Sequence, residues 1–150
     1  MDKPAIHAAE AFVHAGYPLD AEALLLCELD GITAELEIQL VKLIKILQKH
    51  GVTSCVSAYE PEERERLWLG RKAAFPAVGR IAPDYYCMDG TIPRRKLGQV
   101  LATISDLSEE FGLQVANVFH AGDGNLHPLI LYDANRSEEH TSELQSHLNL

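Results

Sequence analysis

The chain has 150 residues, enough for one hydrophobic core. Its formal net charge of −9 argues against a surface for nucleic acid or anionic membrane. The longest apolar runs are far shorter than a bilayer span, and no signal-peptide pattern opens the chain, so we expect a soluble cytoplasmic protein. The cysteines, Cys27, Cys55 and Cys87, are widely spaced and are predicted to be small buried thiols rather than disulfide partners.

Apolar spacing predicts alternating helices and strands in the first half of the chain. A helical pattern covers residues 5–15. The apolar run at 23–29 ends in an Asp-Gly turn and predicts a strand. Leucines and isoleucines at helical spacing predict a helix over 36–50, followed by a glycine that can cap it. Residues 52–57 are predicted to form a short strand.

The second half continues the alternation. A helix is predicted to begin at residues 60–61, with proline and acidic side chains in its first turn, and to end before Pro76. Residues 85–91 form a predicted extended segment, with Tyr85 and Tyr86 on opposite faces. The clearest amphipathic helix covers 97–111.

Two apolar runs, 115–119 and 129–132, are typical of strands buried on both faces. The complete order fits an α+β protein with a ferredoxin-like antiparallel sheet and helices on one of its faces. Most of the apolar helical positions, including Trp68, are predicted to be core.

The most informative stretch is the loop between those last two strands, 119–128 (FHAGDGNLHP), called the glycine loop below. A tight reversal at its glycines would bring the imidazoles of His120 and His127 together. The residues alone leave two interpretations open, since these histidines could bind a metal or could bond backbone carbonyls at the strand ends. Asp123 and Asn125 are equally well explained as turn residues that bond their own backbone.

Three stretches, 67–76, 83–93 and the glycine loop, resemble the C-terminal domain of FAD-linked oxidases, most closely its glycolate-oxidising members. The resemblance runs in order from Met1 to Asn135. It implies an FAD-dependent 2-hydroxy acid oxidoreductase that most closely fits the conversion of glycolate to glyoxylate. It also implies partner subunits, including an iron–sulfur subunit, and membrane association through partners only.

The resemblance also implies roles for individual residues. His120 and His127 would bind a divalent metal, such as zinc, iron or manganese, that holds the substrate. Arg71 would pair with the substrate carboxylate, which suits the planar donor fork of a guanidinium group. Cys87 stands where some relatives carry a second carboxylate-binding lysine.

In that family, the catalytic base and a further metal-binding glutamate belong to a Gly-Glu-His-Gly motif, which this sequence lacks. No catalytic base and no FAD-binding residue is therefore assigned here, and FAD would be bound mainly by an upstream domain. We expect the chain to be an internal fragment that by itself neither binds FAD nor turns over substrate.

The resemblance to the oxidase family ends at Asn135. Residues 136–147 resemble the in-frame translation of a sequencing adapter. We therefore predict a partial FAD-linked oxidase domain at 1–135 and an artefactual, disordered tail at 136–150.

Two other classes of function remain open at this point. One is a small metallohydrolase with His120, His127 and Asp123 as metal ligands. The other is a non-catalytic ferredoxin-like module that binds a small acid or a partner. Neither explains the ordered resemblance of three separate stretches.

Overall fold

The computed structural model describes residues 1–136, so most of the predicted tail lies outside the described residues. Within that range there are four α-helices: α1 (Lys3–Val13), α2 (Thr33–Lys49), α3 (Pro61–Val78) and α4 (Leu97–Phe111). The strands in the same range are β1 (Asp84–Cys87), β2 (Gly90–Thr91), β3 (Val115–Asn117), β4 (Asn125–Leu126) and β5 (Pro128–Tyr132). None of these helices is long and apolar enough to cross a membrane.

The central sheet is antiparallel, with strand order β1-β5-β3. Its register pairs Tyr85 with Leu131 and Val115 with Ile130, so the last strand of the chain lies in the middle. A separate two-stranded ladder pairs β2 with β4, and β4 is part of the glycine loop. Helices combined with an antiparallel sheet confirm the predicted α+β class.

The core lies between α1, α3 and one face of the sheet. Its largest fully buried members include Ile6 of α1, Val78 of α3 and Leu129 of β5. Each such side chain stabilises the fold by about 1.5–3 kcal/mol relative to an exposed one. This core fixes α3 against the sheet, and both elements carry predicted site residues.

Asp2 connects the start of α1 to the strand that leads into the glycine loop. One carboxylate oxygen caps the helix by accepting the Ala5 N–H at 3.2 Å. The other accepts the backbone N–H of Asn117 at 2.9 Å and its side-chain amide at 2.8 Å. Burial raises the pKa of the Asp2 carboxyl, and the hydrogen bonds from Asn117 oppose that shift.

The predicted strands at 23–29 and 52–57 are wrong, because neither segment forms a regular strand. Ala23 forms an isolated bridge with Asp2, and the rest of that run pairs with no strand among residues 1–136. A strand needs a neighbouring edge to pair its backbone groups, which an apolar run alone does not supply.

The four predicted helices are confirmed, although α1 and α2 begin two to three residues earlier than predicted and α1 ends at Val13. α3 continues past Pro76 to Val78, although it was predicted to end before the proline. Pro76 lies in the last turn, where the fixed φ of proline suits the helix and only one ladder bond is lost.

The predicted burial of the cysteines is wrong. Cys27, Cys55 and Cys87 are all exposed, and none of them forms a disulfide within residues 1–136. The first two lie in the unpaired segments described above, and Cys87 lies on an outer strand of the sheet. Trp68, predicted to be core, is half-buried.

Candidate functional site

The glycine loop closes on the backbone of His120. Its carbonyl oxygen accepts the N–H groups of Asp123 at 3.1 Å, Gly124 at 3.0 Å and Asn125 at 3.3 Å. Gly124 has a φ of +73°, and a Cβ at this position would collide with the carbonyl oxygen of Ile92. The tight reversal is therefore confirmed, and residue 124 must be glycine for the loop to close in this way.

The reversal places His120 and His127 side by side. Their ring centroids are 5.6 Å apart and the ring planes are nearly perpendicular, at 87°. The side chain of His127 is 15% exposed, whereas His120 lies at the surface. The predicted closeness of the two rings is confirmed, and one of them faces solvent while the other is held inside.

Two side chains that the sequence did not single out hold His127. Asp89 Oδ1 lies 3.4 Å from His127 Nδ1, and the Phe75 ring contacts the imidazole edge-on at a centroid distance of 6.1 Å. Asp89 reaches this position because the backbone N–H of Met88 donates to the carbonyl of Pro128 at 3.0 Å. No spacing pattern links these residues, since only the strand pairing brings them together.

The donor groups at the loop fit part of a metal coordination sphere. Adjacent imidazoles, one with a carboxylate near its other nitrogen, have the chemistry of metal-binding histidines. Within residues 1–136, however, no three His, Cys, Asp or Glu side chains lie close enough to hold an ion. Asp123 thus does not complete a triad with the histidines, and the metallohydrolase alternative lacks its ligand set.

Asn125, between the two histidines in sequence, carries an unsatisfied acceptor. Its side-chain oxygen is buried and has no hydrogen-bond partner in the described part of the chain. The bond to its own backbone expected of a turn residue is therefore not made by this oxygen. Such an unpaired buried acceptor costs free energy in the folded protein.

Arg71 lies on α3, one helical turn before Phe75. Residues at this spacing share a helix face, and Phe75 on that face contacts His127. Arg71 is half-buried, and burial lowers the pKa of its guanidinium. A partly desolvated guanidinium binds a carboxylate more strongly than one in open water.

The chain as a whole is similar to known proteins. Residues 1–146 match the family model described as FAD linked oxidases, C-terminal domain. The chain therefore belongs to the FAD-linked oxidase C-terminal domain family, as the sequence resemblance predicted.

Three curated relatives show how similar the chain is to individual proteins and how much of each protein it covers. The glycolate oxidase subunit GlcD of Escherichia coli (strain K12) is 60% identical over 139 residues, which are 93% of this chain and 28% of that protein. GlcD of Bacillus subtilis is 31% identical over 139 residues, covering 93% of this chain and 30% of that protein. The mitochondrial D-lactate dehydrogenase [cytochrome] of Arabidopsis thaliana is 29% identical over 126 residues, covering 83% of this chain and 22% of that protein. The chain thus spans less than a third of the length of these relatives.

Proposed function

We propose that this chain is part of the flavin-bearing D subunit of a glycolate oxidase, an FAD-dependent enzyme that converts glycolate to glyoxylate. The observation that carries the proposal is the 60% identity, over 93% of the chain, to a relative named as a glycolate oxidase subunit. The closeness of the two imidazoles, and the contact of His127 with Phe75 one turn from Arg71 on α3, support it.

In this proposal Arg71 binds the substrate carboxylate. Its two-pronged donor fork fixes the orientation of a planar carboxylate, which a point charge would not do. Orientation of this kind lowers the barrier because the hydroxyl-bearing carbon is then held in one position. Phe75, one turn further along α3, keeps water from one side of His127.

His120 and His127 would supply two ligands of a divalent metal such as zinc, iron or manganese. When bound, the metal polarises the substrate hydroxyl and FAD accepts two electrons. Asp89 favours a proton on Nδ1 of His127, which leaves Nε2 with the lone pair that a ligand needs.

The proposal also covers the partner subunits, the location in the cell and the bounds of the domain. As part of a subunit, it would work with other glycolate oxidase subunits, including an iron–sulfur subunit that receives the electrons. We place it in the cytoplasm, with any membrane association made through those partners, because its net charge of −9 disfavours an anionic lipid surface. The domain itself would be residues 1–135, with 136–150 an appended tail.

A chimera tests this function. Residues 1–136 replace the aligned region of the Escherichia coli subunit, and the holoenzyme is assayed for glycolate-dependent dye reduction. We expect turnover that a chelator abolishes and that added metal restores. A chimera that folds and binds FAD but does not oxidise glycolate would contradict the proposal and favour a non-catalytic module.

The role of Arg71 is tested in the same chimera. Arg71→Lys is expected to raise KM for glycolate by about tenfold to a hundredfold, because a bidentate charged pair is lost. Arg64→Lys, at an exposed position of the same helix, is the matched control and should leave KM unchanged. The isolated 150-residue chain should not oxidise glycolate, since within residues 1–136 no three metal-ligating side chains lie together.

A further inference from the structure

The hydroxyl group of Tyr17 lies within the backbone hydrogen-bond ladder of α3. It donates to the carbonyl oxygen of Leu67 and accepts the backbone N–H of Arg71 at 3.1 Å. In a regular α-helix those two backbone groups are partners, because each N–H bonds the carbonyl four residues earlier. The Tyr17 hydroxyl, which comes from outside the helix, therefore bonds both backbone groups that a single helical hydrogen bond would join. One of these two groups is the N–H of Arg71.

Gly70 allows this approach. A Cβ at Gly70 would lie 2.7 Å from Cζ of the Tyr17 ring and 2.8 Å from its hydroxyl oxygen, much closer than real contacts allow. Gly70 is buried under the ring, in the middle of a helix where glycine costs about 0.5–1 kcal/mol relative to alanine. Close approach of the tyrosine gives a physical reason for a glycine at this position.

Tyr17 is itself held in place from α1. One oxygen of Glu10 accepts the backbone N–H groups of Gly16 and Tyr17, each at 2.9 Å. The Tyr17 side chain is buried, and burial raises the pKa of its hydroxyl, so the group keeps its proton and remains a donor. A chain of contacts thus runs from α1 through Tyr17 to the backbone at Arg71.

We propose that Tyr17 is a positioning residue for Arg71. Its hydroxyl sets the path of α3 at this residue, and thereby the direction in which the guanidinium meets the substrate carboxylate. Side chains that enter a helix ladder commonly bend the helix at that point. This inference rests on the proposed role of Arg71 in binding the carboxylate.

The test uses the chimeric holoenzyme described above. Tyr17→Phe removes the hydroxyl and keeps the ring, and we expect KM for glycolate to rise about tenfold while kcat changes less than about twofold. Gly70→Ala keeps the hydroxyl but pushes the ring away, and it should raise KM in the same way. Tyr59→Phe, at a side chain that is 71% exposed, is the control and should leave both parameters unchanged.

A double-mutant cycle separates positioning from general stability. In the Arg71→Lys background, Tyr17→Phe should have little further effect on KM, because the group it positions is already gone. An equal rise in KM in both backgrounds, or no rise in the Tyr17→Phe and Gly70→Ala variants, would overturn the inference. If these variants are silent while Arg71→Lys raises KM, only the role of Tyr17 fails. An unchanged KM in Arg71→Lys would overturn the proposed role of Arg71 as well.

Discussion

Two regions of this chain differ in how far their apolar side chains are buried. In the packed region, formed by α1, α3 and the sheet, Leu129 is fully buried. In the open region, residues 25–58, Leu25 is 58% exposed, and α2 buries none of its residues against the rest of 1–136. An amphipathic pattern is thus sufficient to predict the helix, but burial requires a surface to pack against. The candidate site residues lie on α3, which carries Arg71, or in the glycine loop between β3 and β5, which carries His120 and His127.

The largest contrast is expected in catalysis. In the chimeric holoenzyme, His127→Ala should reduce kcat/KM for glycolate by about a thousandfold, because in the proposed function it removes a metal ligand worth several kcal/mol. His50→Ala, at the end of α2 in the open region, is the matched control and should retain full activity. Equal losses in the two variants would mean that the packed region does not hold the site.

The next contrast is in stability. Leu129→Ala should lower the free energy of unfolding by about 2–5 kcal/mol, the usual cost of emptying a filled core position. Leu25→Ala should change it by less than about 0.5 kcal/mol, since an exposed side chain loses little on truncation. Urea denaturation of both variants measures the difference, and a large loss at Leu25 would show that the open region is also packed.

The third contrast compares the stability cost of adding a Cβ at two glycines with nearly the same backbone φ. Gly124 and Gly51 have φ values of +73° and +77°, but a Cβ would meet a carbonyl oxygen only at the first and nothing within 4 Å at the second. Gly51→Ala should cost about 1–2 kcal/mol from the left-handed backbone alone. Gly124→Ala should cost a further 1–3 kcal/mol, approximately, from the collision. Thermal unfolding of both variants tests this order, and equal losses would contradict the closure of the glycine loop.

The smallest effect concerns pH. Because the pKa of Asp2 is raised in the folded protein, the associated stability is complete below the ordinary carboxyl pKa and is lost as pH rises through the raised value. Asp2→Asn should remove this dependence, so its free energy of unfolding should fall less steeply across the acidic range. Asp30→Asn, in the open region, is the charge-matched control. A steeper fall in the Asp2 variant would contradict the sign of the shift.

The sequence predicted what depends on local pattern. The helices over 33–49 and 97–111, the closure of the glycine loop and the closeness of His120 and His127 all follow from periodicity or from turn chemistry. These features involve residues that are near one another in the chain.

What the sequence missed depends on distant contacts. Tyr17 and Arg71 are 54 residues apart, and Asp89 meets His127 through strand pairing alone. The false strands at 23–29 and 52–57 have the same cause, because an apolar run does not reveal whether a partner strand lies beside it. These contacts and unpaired segments depend on which distant parts of the chain meet, and not on the local sequence pattern.

In the proposed function, α3 and the glycine loop present Arg71 and the imidazole pair to one small acid. A crystal structure of the chimera with glycolate bound would test it most directly. We predict the carboxylate within hydrogen-bond distance of the Arg71 guanidinium and the hydroxyl oxygen directed at the metal held by His120 and His127. Glycolate bound elsewhere, or oriented with its carboxylate away from Arg71, would contradict the account.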